Sequence, residues 1–149
     1  MAKKIWNLDR SPQAAFGTAA YGNVSVLRFD FKTDASGKIN DTELKTDDVV
    51  YLGELPEGFR LDDAQVFVTS ADAEGKVAVG YVYKDGSGGD AGYFFAEQDL
   101  ALPVRARAAQ AKWVTLAKDA YLTLTVKADI GAKEAALGVL VSGEMLGNK

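Results

Sequence analysis

The stretch Tyr81–Phe95, YVYKDGSGGDAGYFF, carries the residues best suited to chemistry. Asp85, Ser87 and Asp90 would offer oxygen ligands to a hard cation such as Ca²⁺. The calcium-loop pattern D-x-[DN]-x-[DN]-G-x₅-E is not met, because the glycines and the closing Glu fall elsewhere. A second acidic loop, DASGKIND, supplies Asp34, Ser36 and Asn40, but Lys38 holds its fifth position and Ile39 its sixth, where a Gly is needed. Both loops therefore read first as solvated turns, in which Asp ties the backbone and Gly or Asn supplies positive φ.

Other chemistry is thinly represented. Asp62, Asp63, Glu97 and Asp99 provide carboxylates of the kind that work in pairs on glycosides, yet spacing along strands does not set their separation in space. There is no cysteine and no histidine. Thiolate nucleophiles, disulfides, the commonest metal ligand and the Ser-His-Asp triad are thereby removed. Neither a phosphate-binding Gly-rich motif nor a nucleophile elbow occurs. No enzyme and no cofactor are expected. Tyr81, Tyr83, Tyr93, Phe94 and Phe95 would suit sugar stacking, which makes a carbohydrate-binding β-sandwich the alternative function; the competing reading is sheet packing. Arg105, Arg107 and Lys112 form a local basic cluster that reads as a solvated face.

The elements that must position these residues follow from length and pattern. A chain of 149 residues suggests one domain with its own core. With 48% apolar and 26% charged residues it has an ordinary globular composition. A net charge of -4 with scattered Lys and Arg argues against nucleic acid and anionic membrane as partners. No run approaches the ~20 apolar residues of a membrane helix. The N-terminus has no apolar signal region, and folding in a reducing cytoplasm is expected.

Residues 1–22 show no sustained period and read as an extended N-terminal arm, with 23–149 as the β domain. From Asn23 onward period 2 dominates, the signature of strands. NVSVLRFDFKT changes phase between Val26 and Leu27, which suggests a β-bulge. VVYLGEL, FRLDDAQVFVTSA, KVAVGYVYK, AYLTLTVKAD and EAALGVLVSGEML read as strands. Ala78 and Gly80 suggest close approach by a neighbouring element. AGYFFAEQDLALP begins as a strand and is expected to end in a turn of helix around Ala96–Leu100; VRARAAQAKWVTL leans to extended structure. Seven or eight strands without strand–helix alternation imply an all-β, antiparallel β-sandwich.

LGELPEGFRLDDAQVFVTSA, KVAVGYVYKDGSGGDAGYFFAEQDLA and the closing strands KDAYLTLTVKAD and EAALGVLVSGEML, in that order, resemble the head decoration, or cement, proteins of tailed bacteriophages. The resemblance runs from about Val49 onward and lies in the order of features. It implies a jelly roll, and a non-enzymatic virion protein that binds the outer surface of the shell of major capsid protein and stabilises it. It also implies a dimer or trimer, a place on the capsid exterior, and assembly in the host cytoplasm. An arm that reaches a partner buries its large apolar residues there, which makes Ile5, Trp6, Leu8 and Phe16 the candidate anchors.

Overall fold

The computed structural model describes residues 3–6, 24–70, 75–99, 104–108, 112–128 and 134–146. Twelve strands and no helix occur among them: β1 (Lys4–Trp6), β2 (Val24–Lys32), β3 (Lys38–Ile39), β4 (Thr42–Glu43), β5 (Val49–Leu55), β6 (Phe59–Ser70), β7 (Lys76–Tyr83), β8 (Gly89–Asp99), β9 (Val104–Arg107), β10 (Val114–Thr115), β11 (Ala120–Ala128) and β12 (Ala136–Met145).

Sheet I has the order β1-β5-β11-β7-β8. Sheet II runs β2-β12-β6, and the far side of β6 is shared: β10 pairs with Arg60–Leu61 and β9 with Gln65–Val68. All pairs are antiparallel except β1 on β5. The pairs nest: β2 with β12, β5 with β11, β6 with β9 and β10, β7 with β8. This is one long hairpin wound into two sheets, the jelly-roll arrangement that the strand count alone left open.

Alternation explains what fills the sandwich. Leu27, Phe29 and Phe31 of β2, and Leu137, Val139 and Val141 of β12, point inward from sheet II. They meet Val50, Leu52, Val77, Val79, Leu122 and Leu124 of sheet I in one continuous core. Each such side chain contributes about 1.5–3 kcal/mol by leaving water, so the core outweighs any single surface contact.

Two expectations are corrected. The register of β2 on β12 runs unbroken from Lys32 opposite Ala136 to Val24 opposite Glu144, so no bulge separates Val26 from Leu27. Val24 and Val26 simply occupy the outward face, in phase with Arg28, Asp30 and Lys32. Nor does a helical turn begin at Ala96. β8 stays extended through Asp99, because Gln98 and Asp99 continue the ladder opposite Val77 and Lys76. Leu100 lies outside the described residues.

The close approach at Gly80 is borne out. Val79 pairs with Phe95 but Tyr81 pairs with Asp90, so β8 bulges over Ala91–Phe94. A Cβ on Gly80 would lie 2.0 Å from the Asp90 carbonyl oxygen and 2.5 Å from the Ala91 carbonyl carbon. The turn residues of the acidic loops also behave as expected. Asn40 and Asp41 adopt φ of 50° and 59° at the tip of the β3–β4 hairpin, and Gly37 has φ of 75°. Such two-residue connections favour positive φ at both central positions.

Candidate interaction sites

The aspartates proposed from sequence in the two loops, Asp34, Asp85 and Asp90, are all engaged as acceptors. At the tip of the β7–β8 hairpin, the Gly86 N–H donates to the Tyr83 carbonyl and Gly86 takes φ of 74°. Asp85 accepts from the Ser87 N–H at 2.9 Å and from Lys118 Nζ at 2.6 Å, and the same ammonium donates to Ser87 Oγ at 3.1 Å. Lys118 foremost, then Ser87, holds the Asp85 carboxyl well below the usual carboxylate range. Asp90 accepts from the Gly92 N–H at 3.0 Å, within the β8 bulge. In the other loop Asp34 accepts from the N–H groups of Lys38 at 3.0 Å and Ser36 at 2.8 Å, which lower its pKa. Among the described residues no group of three or more Asp or Glu is placed to hold a metal ion.

The candidate carboxylate pairs are dispersed into ion pairs with cations. Asp62 pairs with Arg60, Asp63 with Arg107 at 2.9 Å, and Glu97 with Lys76. Asp99 ends β8, and its backbone carbonyl accepts from Gln98. Of the basic cluster, Arg107 serves Asp63, and Arg105 donates to Gln65 and lies 4.9 Å over the Phe67 ring.

The aromatic cluster is largely internal. Tyr81, Phe94 and Phe95 are buried, and Tyr83 and Tyr93 are partly buried against the core. Tyr81 stands edge-on to Tyr83 and to Tyr93, with centroids 5.6 Å apart in each pair. Tyr93 donates its hydroxyl to the Lys112 carbonyl, tying the β8 bulge to the segment before β10. Tyr81, Phe94 and Phe95 thus offer no free ring face to a sugar, and Tyr83 and Tyr93 only part of one. Burial first, then Tyr83, pushes the Tyr81 phenol up to about 12.

Of the four N-terminal candidates, Leu8 and Phe16 lie outside the described residues. Within the arm expected over 1–22, Lys4–Trp6 forms a strand of the sandwich itself, parallel to Val49–Tyr51. Ile5 is buried in this chain's own core, whereas Trp6 is 41% exposed. The Trp6 ring packs on Tyr51 (4.6 Å) and edge-on to Tyr121 (4.9 Å) on the outside of sheet I.

A second surface was not read from the sequence. Trp113 is 70% exposed, and the Arg60 guanidinium lies 5.3 Å from its ring centroid. Arg60 is held between Asp62 and Glu144, donating to Glu144 at 3.0 Å. Across sheet II, Val24 sits opposite Glu144 and Val26 opposite Ser142, while Leu146 follows β12 and donates its N–H to Gly58. Trp113, Val24, Val26 and Leu146 are therefore exposed apolar residues at one end of the outer face of sheet II, around a charged triad. The available signal was faint: a lone Trp in an Ala- and Lys-rich segment, and Arg60 and Asp62 two apart on one strand.

No family model matches the sequence, and no curated protein matches it. The fold, however, has counterparts among solved structures. Over 98% of its length, and 99% of the other's, the chain is similar to a chain of the capsid of Ralstonia phage GP4 (TM-score 0.67, 16% identity). A chain of the cyanophage Pam1 capsid asymmetric unit gives 0.62 at 17% identity, covering 91% of this chain and 94% of that one. A third, from the acidic stable capsid of Helicobacter pylori bacteriophage KHP30, gives 0.58 at 18% identity, covering 86% and 92%. At these identities the likeness is one of fold: an all-β sandwich shared, nearly end to end, with chains of three phage capsids.

Proposed function

We propose that this protein is a non-enzymatic structural component of a bacteriophage virion, a decoration or cement protein that binds the outer surface of the major capsid shell and stabilises it. The observation that carries the reading is the near-complete overlap, 98% of one chain on 99% of the other, with a chain of a phage capsid. Ion pairing of Asp62, Asp63 and Glu97 and burial of Tyr81, Phe94 and Phe95 support a structural role over the catalytic and carbohydrate-binding alternatives. The exposed end of sheet II is the face that docks. Trp and Arg dominate binding hot spots, and here Trp113 and Arg60 are already packed together, so little side-chain freedom is lost on contact. The arm over residues 1–22 adds a second contact, with Trp6, Leu8 and Phe16 as its anchors, and the protein assembles as a dimer or trimer.

Purified protein added to capsids that lack it binds them and raises their disruption temperature. Trp113→Ala leaves the fold intact and weakens binding about tenfold or more, as loss of a central anchor does. Capsids that neither bind saturating protein nor gain heat resistance would overturn the reading.

A further inference from the structure

The way Lys3–Trp6 is held has the form of a receptor and its ligand. Asp48 is 1% exposed, and both of its oxygens accept from backbone: Oδ1 from the Lys3 N–H at 2.7 Å and Oδ2 from the Lys45 N–H at 2.9 Å. The Val49 N–H donates to the Lys3 carbonyl at 2.8 Å. Asn40 Nδ2 donates to the Trp6 carbonyl at 2.5 Å. Ile5 fills a core position between these polar grips, and Trp6 lies on Tyr51 and Tyr121. The slot thus reads main chain at both ends of the segment and two large side chains between.

The contacts named for Lys3–Trp6 itself are long-range: the nearest in sequence, Asn40 with Trp6, spans 34 positions. None depends on which copy of the chain the segment comes from. Residues 7–23 join β1 to β2, and seventeen residues can span about 55–60 Å. A domain of this length has a radius of gyration of about 15 Å. Seventeen residues are thus enough, at full extension, to cross the width of the domain to a neighbour's slot.

We propose that β1 is an exchangeable strand: the slot beside β5 takes residues 3–6 of a second copy of this chain as well as its own, and Asp48 governs release. A short edge strand with identical contacts in either copy is a low-barrier route to association. Asp48 is suited to the gate because a carboxylate accepts on both oxygens. An amide in its place turns an NH₂ towards one of the two N–H donors. The inference does not rest on the capsid reading.

The chain has no cysteine, so engineered disulfides report on the slot without background. Lys4 and Val49 are register neighbours, and adjacent strands bring Cα atoms within disulfide range. One full-length pool carries Lys4→Cys, a second Val49→Cys, and a control carries both. The control forms an intramolecular bond; its absence would remove the slot and the proposal with it. Mixed single-variant pools under mild oxidation give a cross-linked dimer of one of each, above what either pool yields alone. No such excess, with the control fully cross-linked, would overturn exchange. Adding Asp48→Asn to the Lys4→Cys pool speeds the mixed product about tenfold, since a charge-assisted bond to the strand is lost. An unchanged rate would strike Asp48 from the gate.

Discussion

The two sheets bury their strands differently. In sheet II, β2 and β12 alternate almost without exception, with Leu27, Phe29 and Phe31 in and Val26, Arg28 and Asp30 out. In sheet I, β5, β7 and β11 are buried along both faces: Tyr51, Ala78, Thr123 and Thr125 are as inaccessible as the core residues between them. Trp6 packs over Tyr51 and Tyr121, and the β8 bulge lies over Gly80. A half-solvated sheet leaves one face for contacts, and a doubly covered one becomes scaffold. The exposed apolar end around Trp113 accordingly belongs to sheet II.

The largest test concerns the cover that the β8 bulge gives sheet I, and compares two glycines. Gly80→Ala drives a Cβ into the backbone of β8 and destabilises by about 3 kcal/mol or more in denaturant titration. Gly138→Ala in sheet II meets its nearest atom, Asp30 Oδ1, only at 3.5 Å. It stays within about 0.5 kcal/mol of the parent, on the favourable side, because Ala has less freedom to lose. Equal effects would mean that the β8 bulge does not press on Gly80.

Truncating side chains sharpens it. Leu124→Ala, at a position with no exposed surface, loses about 2–5 kcal/mol, and Val26→Ala on the outer face stays within about 0.5 kcal/mol. A smaller effect of opposite sign is expected at Thr125. Its hydroxyl and that of Thr123 are buried with no hydrogen-bond partner among the described residues. Thr125→Val keeps the shape, removes the orphan group and raises the melting temperature, by up to about 1 kcal/mol of stability. A lower melting temperature would mean that the hydroxyl has a partner.

The mildest test is a pH window. The folded protein keeps the Tyr81 proton up to about 12, above the ordinary value of 10.0. Stability tied to the neutral phenol is complete below pH 10 and is lost as pH rises from about 10 to about 12. Tyr81→Phe removes that share of the alkaline loss, measured as the slope of denaturation midpoint against pH. An identical slope in both proteins would place the loss elsewhere.

The same contrast explains what was legible in the sequence. Strands of sheet II announce themselves because one face is wet, and alternation then marks the core directly. In sheet I the outer face is filled by Thr, Tyr, Ala and Gly, so alternation located β7 and β11 but not their full burial. Gly80 stood out because a small residue amid large ones implies a close neighbour. The false bulge at Val26 came from treating exposed valines as core, although outward apolar residues are common. Strand order depends on pairing between distant segments, which local pattern does not encode. The dock for Ile5 was invisible for that reason. Its walls come from residues 40–51 and 121, and only the fold assembles them.

The nesting of the strands also bears on how the protein is made. The first long strand, β2, has its pairing partner in β12, Val24 lying opposite Glu144. On a ribosome that adds about 5–20 residues per second, β2 emerges many seconds before the strand that completes its ladder. Until then Leu27, Phe29 and Phe31 have no sheet to join. Closure of sheet II therefore waits for β12, and chains of such high contact order fold over milliseconds to seconds. Without β12, β2 and β6 would both lose their ladder and sheet II would stay open, which makes this strand the clasp of the roll.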